Sequence, residues 1–143
     1  MTTITKFLDL LAIGLSEQQD MDANVYVREW CFRGTLPNDE VDENKTLLAV
    51  LHCTSQDEVV KFNHTLRLDC NLTGTILIGE MTTGDVQDEV MKIFSAAQLY
   101  FKSLAMQPIE DAILLQAIAH GVQTEIDGYY MSFTIPVEIY AQF

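Results

Sequence analysis

Three histidines and three cysteines are the side chains of this sequence best suited to metal binding or nucleophilic catalysis. They are scattered along the chain, at His52, His64, His120, Cys31, Cys53 and Cys70. A zinc site needs three or four converging ligands, and neither a His-x-x-x-His nor a Cys-x-x-Cys spacing occurs. His52 and Cys53 are adjacent, but neighbours in a strand point to opposite faces of a sheet. The spacing therefore predicts ordinary strand residues, with a Cys–His nucleophilic pair as the open alternative.

The densest group of possible cation ligands is the acidic run Asp-Glu-Val-Asp-Glu at residues 39–43. It lacks the ligand spacing and central glycine of an EF-hand, so we interpret it as part of a solvated loop. The sequence contains no phosphate-binding glycine loop, no Gly-x-Ser-x-Gly motif and no His-Glu-x-x-His motif. We therefore expect no catalytic, cofactor-binding or metal-binding residues, and we predict that the protein is not an enzyme.

Composition and charge narrow the classes of function. The chain has 143 residues, 48% of them hydrophobic, which predicts a single domain spanning residues 1–143. Its 21 acids and 8 bases give a net charge of −13, which disfavours nucleic-acid binding through a basic patch. No Lys or Arg follows Lys102, whereas five acids do: Glu110, Asp111, Glu125, Asp127 and Glu138. Such an acidic surface indicates a basic partner, a solubility role or repulsion of nucleic acid.

The cysteine count and the start of the chain bear on its compartment. An odd number of cysteines without a signal peptide predicts reduced, buried thiols in a cytosolic setting. Residues 1–6 lack the basic region and apolar run that a signal peptide needs. No apolar stretch approaches the ~20 residues of a membrane span, so we expect no membrane association.

Hydrophobic periodicity divides the first half of the chain into a helix and several strands. An apolar stripe predicts a helix over residues 3–18, with Thr2 or Thr3 as its N-cap. The clearest alternation in the chain predicts a long, half-buried strand, in which Gly74 marks a bulge or bend. The predicted strands are 23–33, 46–53 and 65–78; a loop occupies 34–45, and 54–64 is either a short helical turn or a strand extension.

The second half begins with a helix and ends with a hairpin. A broad apolar face predicts a helix over residues 84–104, in which Asp85 and Asp88 suit the positive end of the helix dipole. Pro108 follows this helix, and a helical turn at the start of residues 109–117 remains open.

Residues 118–140 have the alternation of a long β-hairpin. Asp127-Gly128 predicts a two-residue type I′ turn, because both residue types tolerate positive φ. The resulting register places His120 on the apolar face as a partly buried histidine. Pro136 has no N–H to donate, which predicts a sheet edge or a bulge at that point.

These elements predict an α+β domain with an antiparallel or mixed sheet. An N-terminal helix and a central helix pack on one face of the sheet, and the chain ends in a long β-hairpin. One face of the hairpin is mostly apolar and the other polar, as expected when only one side of a sheet is covered. We therefore expect the function to depend on surfaces rather than on reactive groups.

This layout resembles the tail-terminator, or tail-completion, proteins of long-tailed bacteriophages. The matching segments are residues 3–16, 66–78, 85–104 and the hairpin 118–140. The closing run Glu-Ile-Asp-Gly-Tyr-Tyr-Met-Ser-Phe-Thr-Ile-Pro-Val-Glu-Ile-Tyr combines a polar strand end, a tight turn and an alternating final strand. The segments 34–45 and 54–64 have no counterpart in this pattern.

The resemblance implies a structural function. Members form a hexameric ring at the end of the completed tail tube, stop its polymerisation and offer a surface to the head or neck. The implied partners are other copies of this chain, the tail-tube protein and a head-completion or neck protein. The implied location is the virion, at the tail end or neck, and the host cytoplasm during assembly. DNA would pass through the lumen without specific binding, repelled by the acids of residues 39–43 or by those after residue 108.

Two other classes of function remain open. An acidic regulatory binding protein that mimics DNA would block a basic site on an enzyme, although the acids of this chain are dispersed rather than gathered on one face. A small enzyme or ligand-binding domain would need a pocket between the central helix and the sheet.

Overall fold

A computed structural model describes residues 3–18, 23–27, 47–60, 63–78 and 83–143. Within these ranges two helices and seven strands occur. In chain order they are α1 (Ile4–Ser16), β1 (Ala23–Val27), β2 (Leu47–Val60), β3 (Thr65–Leu77), α2 (Thr83–Ser103), β4 (Gln107–Ile109), β5 (Ala112–Ala119), β6 (Gln123–Asp127) and β7 (Tyr130–Gln142). The predicted α+β class is confirmed, with the helix at the N-terminus and the paired strands at the C-terminus.

The strands form one mixed sheet in the order β1-β2-β3-β7-β5-β4, and β6 pairs with β7 beyond the end of β5. β1 runs parallel to β2, and the other pairs are antiparallel. At the centre, β3 is paired with β7 over its whole length, from Thr65–Gln142 to Leu77–Tyr130. This long, unbroken ladder makes β3 and β7 the rigid centre of the sheet.

Alternation gives the central strands one apolar and one polar face. Every second residue of β7 from Met131 to Ala141 is buried, and β3 contributes Leu68, Cys70 and Leu72 to the same cluster. Both helices cover this face, because their buried side chains belong to the cluster as well: Phe7, Leu8, Leu11, Ala12, Leu15, Val86, Val90, Ile93, Ala96, Ala97, Tyr100 and Phe101. Each large apolar side chain buried there contributes about 1.5–3 kcal/mol.

Local contacts fix the position of α1. Of the two predicted caps, Thr3 is the one used, since its Oγ1 accepts a hydrogen bond from the backbone N–H of Lys6 at 3.1 Å. Phe7 packs edge to face on the ring of Phe143, with the ring centroids 5.1 Å apart. The first helix therefore packs against Phe143, the residue that follows β7.

Several predicted boundaries change in the middle of the chain. β2 extends to Val60, so the ambiguous segment 54–64 is mainly a strand extension that ends in a turn at Asn63 and His64. The irregularities lie in β2, between Cys53 and Ser55 and again near its end, and not at Gly74. The predicted strand residues 28–33, the loop 34–45 and Cys31 lie outside the described residues.

No helical turn occurs in residues 109–117. β4 and β5 form a short hairpin there instead, which turns at Glu110 and Asp111, with Glu110 at a positive φ of 56°. The pairing of Ile109 with Ala112 excludes the helical turn that the sequence allowed at this point.

The terminal hairpin turns one residue later than predicted. Asp127 pairs with Tyr130, so the two-residue loop is Gly128-Tyr129. Gly128 has a φ of 62°, and a glycine with positive φ at the first loop position is typical of a type II′ turn. The prediction of a type I′ turn at Asp127-Gly128 was wrong. A type I′ turn needs positive φ at both loop residues, whereas a type II′ turn needs it only at the first, where Gly128 lies.

Pro136 lies in an interior strand, between β3 and β5, and not at a sheet edge. A strand residue directs its N–H and C=O to the same neighbour. The C=O of Pro136 accepts a hydrogen bond from the N–H of His120 at 2.8 Å, so its missing N–H faces the break between β5 and β6. The proline is tolerated because the neighbouring ladder is interrupted opposite it.

Candidate functional site

The histidines that could bind metals do not come together. His52 is paired with Asn71 and Cys53 with Cys70, which places the two neighbours on opposite faces of the sheet. His64 lies in an exposed turn. Within the described ranges, no group of three or more His, Cys, Asp or Glu residues is placed to hold a metal ion.

His120 lies on the polar face and not on the predicted apolar one. It occupies the break between β5 and β6, and its Nε2 is 3.7 Å from a carboxylate oxygen of Glu138. The shifted hairpin register causes the difference, since Ile118 pairs with Glu138 rather than with Val137. His120 is therefore a surface histidine beside one carboxylate.

The polar face of the sheet carries a network of compensated charges. The Arg67 guanidinium lies 3.1 Å from Asp69 and 3.6 Å from Asp57, and the hydroxyl of Ser55 donates to Asp69 at 2.9 Å. The Asp69 carboxylate raises the pKa of Arg67. Hydrogen bonding to Glu138 likewise raises the pKa of Tyr140. These contacts fix the positions of the charged side chains on the polar face of the sheet.

A groove of about 520 Å³ runs between α2 and β5, where a pocket of a ligand-binding domain would lie. It is lined by Ser95, Gln98, Leu99, Lys102, Ala117, Ile118 and Ala119. Leu99 is 66% exposed, and among the described residues of the lining Lys102 alone is charged. With one hydroxyl, one carboxamide and one ammonium group, the lining suits an amphipathic segment of polypeptide better than a reaction.

The same groove follows an open edge of the sheet. β4 pairs with only the first three residues of β5, Ala112 to Leu114. Beyond Leu114, none of the described strands pairs with the outer edge of β5 or of β6. Unpaired N–H and C=O groups on such an edge are a template for a strand from another chain.

The tip of the β6–β7 hairpin is a second exposed apolar surface. It carries Ile126, Tyr129 and Tyr130, which are 53%, 78% and 51% exposed. β6 pairs only with β7 among the described strands, and its residues 123–126 are exposed. Ile126 and Tyr130 lie on opposite faces of the hairpin, because Ile126 pairs with buried Met131 and Tyr130 precedes it. Large exposed apolar side chains on both faces make the tip a candidate contact region.

The groove and the hairpin tip are separate regions of one subunit. Ala119, at the groove, pairs with Val137, and Ile126, at the tip, pairs with Met131. Val137 and Met131 are six residues apart in β7, which corresponds to about 20 Å along the strand. The tip of a chain therefore lies well away from the groove of the same chain.

Sequence reasoning missed both surfaces, although one signal was present. Leu99 and Met91 are apolar residues outside the stripe that buries α2 in the core, and both are exposed. The open edge depends on which strand lies beside β7, and a single sequence does not specify that order.

No family model matches this sequence, and no curated protein is significantly similar to it. In the part of the chain that the structure describes, neither helix is long and apolar enough to cross a membrane.

Proposed function

We propose that this protein is a structural component of a bacteriophage virion. It forms a homo-hexameric ring that caps the tail tube and provides the surface for head or neck attachment. Its partners are copies of itself, the tail-tube protein and a head-completion or neck protein. The protein acts in the virion after assembly in the host cytoplasm, and it is not an enzyme.

One observation carries the proposal: the groove with its open edge and the exposed hairpin tip are different patches on the same subunit. A ring requires a heterologous interface, in which one patch of each subunit meets a different patch of the next. The two patches lie about 20 Å apart along β7. A contact between the groove of one subunit and the tip of another can therefore leave a free groove and a free tip, which further subunits occupy until the ring closes.

The occupant of the groove is then a second copy of this chain. β6 of one subunit adds to the open edge of β5 in its neighbour, so that main-chain hydrogen bonds continue the sheet. Ile126 lies on the helix side of the sheet, since it pairs with buried Met131. In a continued sheet, Ile126 comes next to Leu99, and both side chains lose exposed apolar area.

The groove and the tip carry charges of opposite sign. Lys102 is the last base in the sequence, and among the described residues no carboxylate forms a salt bridge with it. The hairpin tip contains Glu125 and Asp127 and no base. Glu125 pairs with exposed Ser132 and so lies on the face opposite Ile126 and α2. Its charge therefore attracts the tip toward the basic groove over a distance and forms no ion pair with Lys102.

The net charge of −13 is consistent with a ring through which DNA passes. Like charges repel the phosphate backbone, so DNA crosses the lumen without specific binding. The same charge would also serve an acidic protein that mimics DNA. The described acids favour that alternative less, because they are distributed over both ends of the sheet, its polar face and the start of α2.

Light scattering of the full-length protein over a range of concentrations tests the proposal. We expect a species of six times the 16.1 kDa chain mass and ring-shaped particles by electron microscopy, either alone or on addition of tail-tube protein. Leu99→Asp should abolish the ring, whereas Val59→Asp, at a similarly exposed position on β2, should leave it intact.

A monomer under all of these conditions would contradict the proposal. A stable monomer that competes with DNA for a basic enzyme would establish the alternative function. A saturable thermal shift with a small molecule would indicate a ligand-binding domain.

A further inference from the structure

Cys53 and Cys70 are direct partners in the antiparallel ladder between β2 and β3. Directly opposed residues in such a ladder have Cα atoms about 4.5–5.5 Å apart, which falls within the about 4.4–6.8 Å spanned by disulfides. Both side chains lie on the helix side of the sheet, where Cys70 is buried and Cys53 packs at the border of the core. Both are free thiols in this structure.

The β2–β3 ladder is irregular immediately after Cys53, because Thr54 is paired with no residue of β3 and pairing resumes at Ser55. Opposed Cβ atoms are about 4.5–5.5 Å apart, slightly wider than the about 3.5–4.5 Å of a disulfide. A bulge lets a strand bend locally, so β2 can approach β3 at this point without a shift of the whole sheet.

The two thiols differ in accessibility and in acidity. A hydrogen bond from the Cys70 thiol lowers the pKa of Cys53 to about 7. The same hydrogen bond, together with burial, raises the pKa of Cys70. The Cys53 sulfur is also 3.4 Å from the backbone oxygen of Ser55, an acceptor for its protonated form. Cys53 is half-buried at the start of an exposed stretch of β2, so reagents reach it before they reach Cys70.

We propose that Cys53 and Cys70 form a reversible cross-strand disulfide, in which Cys53 is the attacking thiol and Cys70 the resolving thiol. This site is independent of the groove and the hairpin tip. The oxidant is a low-molecular-weight disulfide such as glutathione disulfide.

The exchange proceeds in two balanced steps. The Cys53 thiolate attacks one sulfur of glutathione disulfide, so that a Cys53–glutathione bond forms, the glutathione S–S bond breaks and glutathione leaves as a thiolate. The Cys70 sulfur then attacks the Cys53 sulfur and displaces the second glutathione, which leaves with the Cys70 proton. The protein loses two hydrogen atoms, and glutathione disulfide is reduced to two molecules of glutathione.

The test uses the full-length protein with Cys31→Ser, which leaves only the two thiols of interest. After incubation with glutathione disulfide near neutral pH, we expect both thiols to disappear, the mass to fall by two hydrogens and a peptide map to join residues 53 and 70. The melting temperature should rise by about 5–10 °C, because the bond closes an 18-residue loop.

Two variants in the same background define the roles of the thiols. Cys70→Ser should stop at the mixed disulfide on Cys53, whereas Cys53→Ser should leave Cys70 unmodified in the folded protein. A lasting mixed disulfide in the protein that keeps both thiols would overturn the proposal, as would two unreacted thiols. If Cys31→Ser does not fold, the peptide map of the wild-type chain gives the same decision, since any linkage other than 53 to 70 contradicts it.

Discussion

Gly14 of α1 and Tyr100 of α2 are in direct contact, with the tyrosine ring and its hydroxyl lying where a Cβ on Gly14 would be. The glycine weakens the helix by about 0.5–1 kcal/mol relative to alanine. Because Gly14 has no side chain, α1 and α2 can approach each other closely at this position. The buried environment also raises the pKa of Tyr100 to about 12.

Gly14→Ala should therefore destabilise the protein by about 1–3 kcal/mol, although alanine is the better helix former, because overpacking outweighs propensity. Adding Tyr100→Phe removes the hydroxyl that overlaps most closely and should recover part of the loss. Urea unfolding of the single and double variants measures both effects. Equal or greater stability of Gly14→Ala would show that the helices are not held together at this position.

The terminal turn yields a second prediction. Gly128→Ala should cost about 1–2 kcal/mol, since an L-residue is strained at positive φ. Gly121→Ala is the matched control, because a Cβ there meets no atom within 4 Å and its φ is not in the left-handed region. The control should be neutral or slightly stabilising. Thermal unfolding compares the two, and equal effects would contradict the observed turn.

Alkylation of Cys53 should depend on pH with a midpoint near 7, because the hydrogen bond from Cys70 lowers its pKa to about 7. Below this pH the thiol is protonated and reacts slowly; above it, the thiolate reacts quickly. The groups that surround Cys53 are the Cys70 thiol, Gln56, the Ser55 backbone and the Asp69 carboxylate, the last of which opposes ionisation.

Removing the donor should shift this midpoint. In a Cys31→Ser background, Cys70→Ala should move the midpoint upward, toward the ordinary value of about 8.5. The rate of reaction with iodoacetamide, followed by mass spectrometry from about pH 5 to pH 9, checks both profiles. Identical midpoints with and without Cys70 would exclude the hydrogen bond as the cause.

The sequence predicted the parts of the fold that repeat a simple period. The core helices and β3 follow apolar spacings of 3.6 and 2 residues, so their positions were correct within a residue or two. The hairpin register was wrong because the run Asp127-Gly128-Tyr129 allows two settings of a two-residue loop. Pro136 was misplaced for a different reason: its tolerance in the sheet centre depends on the break at His120, which only the pairing reveals.

The candidate surfaces were less predictable than the fold. An open edge is a property of strand order, and that order is set by long-range packing. Ile126 and Leu99 are unremarkable in the sequence, since an alternating strand and an apolar helix each contain such residues. Their exposure indicates a contact surface only because the folded structure shows that neither side chain belongs to the buried core.

A mixing experiment with two variants measures whether the groove of one subunit binds the hairpin tip of another. Leu99→Asp damages the groove and leaves the tip intact, whereas Ile126→Asp does the reverse. Both positions are exposed in the subunit, so neither change should affect folding, and each should weaken assembly at least about tenfold because a charge is desolvated at the contact. Each variant alone should be monomeric by light scattering.

A mixture of the two variants leaves one undamaged groove and one undamaged tip per pair. We expect this mixture to form heterodimers and nothing larger, because the one intact interface cannot be continued around a ring. Under the conditions in which the unchanged chain forms a ring, failure of the two variants to combine would contradict assembly through the groove and the tip, as would rings that persist in either variant alone.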